Sequence, residues 1–110
     1  MARQSIFDMP VRKVYPLLLA KVERKGRTKA ELDEVIRWLT GYEMDAVDQR
    51  MTYGAFFENA AMNPRAELIT GKVCGVDVAA VEDPLMKRIR QLDKLADELA
   101  KGRPMEKILR

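Results

Sequence analysis

Hydrophobic residues recur along this chain at three- and four-residue intervals, the period of a helix with one buried face. The clearest case is Leu32, Val35, Ile36 and Leu39. Thr28 precedes them and Glu31 follows it by three, the spacing of a capping box. In that motif the Thr hydroxyl accepts from the Glu N–H, and the Glu carboxylate accepts from the Thr N–H. Gly41 stands where a left-handed residue ends a helix at no steric cost, so a helix is predicted over Thr28–Thr40. Upstream, Val11, Val14, Leu18 and Val22 mark a first helix from near Val11 to Lys25, closed by Gly26. Pro16 lacks an N–H and disfavours helical geometry at Tyr15, so this helix either begins around Arg12–Tyr15 or kinks there.

Further on, Met44, Val47 and Met51 predict a short helix over Asp45–Met51, and Thr52 caps another that carries Phe56 and Phe57. Those two rings, with Trp38 and Tyr53, are the expected central core. Asn63–Pro64 and Asp83–Pro84 are both a cap residue followed by proline at the first helical position. The first opens a helix with Leu68, Ile69 and Val73 on its apolar side. Between Leu68 and Val78 two readings compete. A helix to about Val73, stopped by Gly75, is the leading one; a short β-hairpin through Gly71, Gly75 and the Val76–Asp77–Val78 alternation is the other. Asp83–Pro84 opens the longest helix, Pro84–Lys101, with a heptad-like seam of Leu85, Ile89, Leu92, Ala96 and Leu99. Met86 and Leu95 widen that seam, so it faces a bundle interior rather than a single partner helix. Gly102 ends it, and Pro104 starts a last short helix with Met105, Ile108 and Leu109 apolar.

Composition adds limits rather than detail. The 110 residues fit one domain, 1–110, able to bury about two-thirds of its unfolded surface without metal or disulfides. No apolar run approaches the roughly 20 residues of a spanning helix, and the N-terminal MARQSIFDMP lacks the apolar core of a secretory leader. The single Cys74 has no internal disulfide partner, fits a cytoplasmic location, and is expected to be buried beside Val73. Net charge is only +3, but it is unevenly spread. Residues 1–30 hold eight Lys/Arg against two acids, residues 31–83 four against eleven, and residues 84–110 eight against four. Basic ends flanking an acidic middle either neutralise each other, within the fold or across a dimer, or form a patch for an anionic partner.

Candidate chemistry is sparse. Without histidine the chain lacks the commonest general base and transition-metal ligand, and one cysteine makes no zinc site. No phosphate-cradling glycine motif is present, and neither catalytic residues, cofactor nor metal is expected. Asp33 and Glu34, and Asp93, Asp97 and Glu98, are read as solvent-facing carboxylates, the latter laddered with Lys94 and Lys101 at i,i+4. The Gly26 link raises a helix-turn-helix, but Lys29, Asp33, Glu34 and Arg37 leave the second helix's outer face neutral, which suits DNA poorly. Lys87, Arg88 and Arg90 are the candidate anion or partner contact, because three cations in the first two turns oppose the helix dipole. Arg12, Lys13, Arg24, Lys25 and Arg27 would extend that surface if the fold brought these faces together.

The combination of motifs resembles a known family. VYP at Val14–Pro16, KGRTKAELDEVIRWLTGY at Lys25–Tyr42, FF at Phe56–Phe57, MNP at Met62–Pro64, and CGV, EDPLM, LDKL, DELAKG and MEKILR between Cys74 and Arg110 carry the likeness. They are similar to the bacterial family catalogued as domain of unknown function twenty-two hundred. The resemblance implies a compact, stand-alone cytoplasmic domain with no established activity, and brings no functional residues with it. From the periodicities the expected fold is all-α, an irregular bundle of about five to seven helices. The expected function is a small non-enzymatic interaction protein that self-associates as a homo-oligomer, without a membrane partner. Nucleic-acid or anion binding through the basic N- and C-terminal segments is the alternative, and a small carboxylate enzyme is the third reading.

Overall fold

The computed structural model describes residues 5–110; residues 1–4, the start of the stretch read for a leader, lie outside the described residues. Five α-helices are present among the described residues: α1 Val11–Glu23, α2 Lys29–Thr40, α3 Tyr53–Glu58, α4 Pro84–Ala100 and α5 Met105–Ile108. Two short strands, β1 Lys72–Val73 and β2 Val76–Asp77, pair antiparallel. The fold is thus helical throughout apart from one small hairpin. No described helix is long and apolar enough to cross a membrane.

α4 is the hub. It packs on α1, α2, α3, α5 and β1. Its predicted seam is buried at Ile89, Leu92, Ala96 and Leu99, and Leu95, Gln91 and Glu98 are buried beside it. A helix contacted from so many sides cannot keep a polar face for every polar residue, and Glu98 is accordingly not solvent-facing as the ladder predicted. Arg110 donates to both of its carboxylate oxygens at 2.9 and 2.7 Å, and Arg103 to one at 3.2 Å. Lys94 turns away to the Lys72 carbonyl at 3.1 Å. The expected Asp97–Lys101 pair is present at 3.0 Å.

α2 has the predicted capping box, with Glu31 N–H to Thr28 Oγ1 at 3.2 Å and Thr28 N–H to Glu31 Oε1 at 2.9 Å. Gly41 closes the helix at φ 78°. Leu32, Val35, Ile36 and Leu39 are buried, whereas Trp38 is half-buried at the edge of that face and borders the core instead of filling it. The centre is aromatic: Phe56 stacks on Tyr42 with ring centroids 4.2 Å apart, and Phe57 meets Tyr53 edge-on at 4.9 Å. Tyr15 of α1 donates to Asp33 of α2, tying the two helices together. Burial, followed by the Asp33 hydrogen bond and charge, pushes the Tyr15 hydroxyl up to about 12.

Three local expectations are corrected. α1 starts at Val11 as the apolar spacing predicts and continues through Pro16, but it ends at Glu23 rather than Lys25. Arg12 and Pro16 are both exposed, so water reaches the carbonyl that loses its helical partner. The Asp45–Met51 helix is instead a 3₁₀ turn over Met44–Ala46 followed by a tight turn in which the Asp48 carbonyl accepts from the Met51 N–H at 3.1 Å. The turn has a use: Gln49 and Met51 carbonyls accept from the Arg12 and Val11 N–H groups at 2.8 and 2.9 Å. They satisfy donors at the start of α1 that its Pro10 cap leaves open. Third, the helix to Val73 gives way to a 3₁₀ turn, Pro64–Leu68, and the hairpin. Gly71 adopts φ 95°, which breaks a helix, and its carbonyl accepts from the Val78 N–H at 3.0 Å to close the loop. Cys74 and Gly75 form the two-residue turn, both at positive φ (50° and 76°), as a type I′ hairpin requires. Cys74 is therefore exposed at a turn tip, not buried beside Val73.

Candidate functional site

Lys87, Arg88 and Arg90 leave α4 in different directions. Lys87 and Arg88 reach a surface groove of about 450 Å³ bounded by residues 62–67, 81–84 and the first turns of α4. Both cap-then-proline turns meet there: Asn63 and Pro64 line one side, Pro84 the other. The caps hold these turns in place. Asn63 accepts from the Arg65 N–H at 2.8 Å, and Asp83 accepts from the Leu85 N–H at 2.9 Å. The first N–H groups of α4 are thereby taken, so any charge recognition in the groove falls to side chains. Buried Gln91 also lines it, its amide fixed on the Ala66 carbonyl at 3.3 Å.

The charges in the groove are of both signs. Glu67 and Glu82 face it with Lys87, and none of the three has an ion pair with a described residue. Arg88 is partly committed: it donates to the Phe57 carbonyl at 2.6 Å, near the carbonyl end of α3 where a cation is favoured. Met62, Val81 and the prolines supply apolar wall. The sequence singled out Lys87 and Arg88 but missed Glu67 and Glu82. The signal that could have paired them was the repeated cap-then-proline motif.

Arg90 belongs elsewhere. It pairs with Asp93 at 3.4 Å, on a side of α4 shared with buried Tyr53. Burial pushes the Asp93 carboxyl up, against the pull of Arg90 and Lys21. Burial also raises the Tyr53 hydroxyl, which finds no hydrogen-bond partner among the described residues.

The other predicted cations do not extend the groove. α1 and α4 lie with their C-terminal ends together, Lys21 reaching Asp97 at 3.6 Å. Lys21, Arg24, Lys25 and Lys101 gather there around a depression of about 510 Å³. From Arg88 to Lys101 the rise along α4 is about 20 Å, so the two basic regions are separate. Arg27 is held by Glu31 at 2.9 Å and by the Arg103 carbonyl at 3.0 Å. On α2, Lys29 pairs with Asp33 at 2.7 Å and Arg37 with Glu43 at 3.5 Å, leaving little free cation for a DNA groove. No three His, Cys, Asp or Glu side chains among the described residues come together as a metal site would need.

This fold and these motifs define a class already known by its sequences. The chain belongs to the family described as uncharacterized protein conserved in bacteria (DUF2200), whose model matches residues 5–110. It is also similar to a solved crystal structure titled uncharacterized protein SP1917, at 44% identity and a TM-score of 0.89, covering 98% of this chain and 93% of that one. No curated protein matches.

Proposed function

We propose that the chain is a non-enzymatic interaction protein that seats a short peptide segment of its partner in the groove between the Asn63–Pro64 and Asp83–Pro84 turns. The observation that carries this reading is the set of unpaired charges, Lys87 against Glu67 and Glu82, around an apolar-walled groove with proline-stiffened rims. A peptide with an acidic and a basic residue flanking an apolar one would complete all three. Prolines at both rims lower the ordering cost of binding. The volume is within the roughly 300–1,000 Å³ of ordinary ligand sites. Panning a displayed library of linear peptides tests it. Enriched sequences should carry both charges, and E67K/E82K should weaken them at least tenfold with helicity unchanged. Enrichment no better than background, or equal binding by the variant, would sink the reading.

Self-association is a second reading. The acidic 31–83 segment between basic ends offers complementary charge to a second copy, and Leu17 is 65% exposed on α1. Sedimentation equilibrium showing only monomer at millimolar concentration removes it. A cytoplasmic location goes with both readings, and the exposed, unpaired thiol of Cys74 suits a reducing compartment.

A further inference from the structure

We infer that the opposite end of α4 carries a second, independent surface, on which Lys21, Arg24, Lys25 and Lys101 hold the phosphate backbone of duplex nucleic acid without reading its sequence. The four cations come from two helices far apart in the chain, yet they line one depression of about 510 Å³. Asp97 is the only carboxylate lining it, and it is already shared. Lys101 holds it at 3.0 Å and Lys21 at 3.6 Å. Burial would raise the Asp97 carboxyl, but its lysine neighbours outweigh that and keep it low. Arg24 and Lys25 are exposed and have no carboxylate partner among the described residues.

Helix dipoles account for part of this. A cation near each C-terminus is favoured by the partial negative charge of the last carbonyls. Four cations around one depression repel one another, however, and although Lys21 also feels Asp93, no carboxylate is paired with Arg24 or Lys25. An anion that enters relieves that repulsion. The rest of the lining selects the kind of anion. Ala100 is the only apolar residue there, so nothing is offered for insertion into a membrane. No aromatic ring lines it either, so unstacked bases of a single strand find no platform. A duplex backbone needs neither; it needs closely spaced cations and shape.

The experiment is fluorescence anisotropy with a labelled mixed-sequence 24-base-pair DNA duplex, titrated with the full chain at several KCl concentrations. Binding is expected in the micromolar range at low salt, with log K falling against log salt at a slope of about −2 to −4, one unit for each displaced phosphate counterion. R24E/K25E should weaken it at least tenfold and flatten the slope. The same charge change placed elsewhere, K13E/K72E, should alter it less than threefold, and circular dichroism should confirm that both variants fold. Absence of binding at low salt overturns the inference. So does a flat salt dependence, or equal loss in the two variants. Binding to phosphatidylserine vesicles but not to the duplex also overturns it. The peptide groove lies at the other end of α4, so R24E/K25E should leave peptide affinity intact, and failure of either surface is visible without the other.

Discussion

At the scale of single residues, the informative positions are the buried ionisable ones. Glu98 is 5% exposed and holds both Arg103 and Arg110. Glu98→Ala strands the largely buried Arg110 guanidinium. Breaking a buried pair from one side costs about 3 kcal/mol, which urea unfolding would register as a lower midpoint. Nothing local announces this role, because Arg103 and Arg110 lie beyond the Gly102 turn and meet Glu98 only when the chain folds back. Asp93 behaves in the opposite sense. Its folded value lies above the ordinary 3.8 because of burial. The folded state therefore holds its proton more tightly than the unfolded state, and its contribution to stability is lost as pH rises from that ordinary value through the folded one. Asp93→Asn removes that loss. Relative to the parent, its melting temperature should be higher at pH 7 than at pH 3, by calorimetry; a difference independent of pH would contradict the assignment.

At the scale of elements, legibility followed the range of the contacts. The α2 helix was readable to the residue because its cap, apolar face and glycine stop all act within four positions. The segment 45–51 was misread because its backbone partners are Val11 and Arg12, some forty residues back. The hairpin was legible only as the second of two readings, because two-residue strands offer little alternation and its turn uses Cys74 where asparagine is usual. Cys74 sits at φ 50°. Asn tolerates that region better, so Cys74→Asn should raise stability by about 0.5 kcal/mol in denaturant unfolding. The aromatic centre makes a larger demand. Phe57 is fully buried between Tyr53 and Phe56, and Phe57→Ala should cost about 3–5 kcal/mol by the same measurement.

At the scale of the whole molecule, apolar periodicity predicted the bundle, its longest helix and most of its core. Placement of charge was less legible. Lys87, Arg88 and Arg90 look like one cluster in sequence, but successive residues on a helix point about 100° apart, and the fold sends Arg90 to Asp93 and the other two to the groove. The two ends of α4 thus carry different surfaces, one of mixed charge and one cationic. That same helix touches nearly every other element, yet follows most of them in the chain. During synthesis, α1, α2 and α3, which carry the buried Val22, Leu32 and Phe57, leave the ribosome before α4, the helix all three pack against. The native core is completed late, and the nascent chain depends on α4 emerging before proteases or neighbouring chains find those side chains. A chain halted at residue 83 should accordingly be cut by trypsin at rates typical of unfolded protein, whereas the full chain resists.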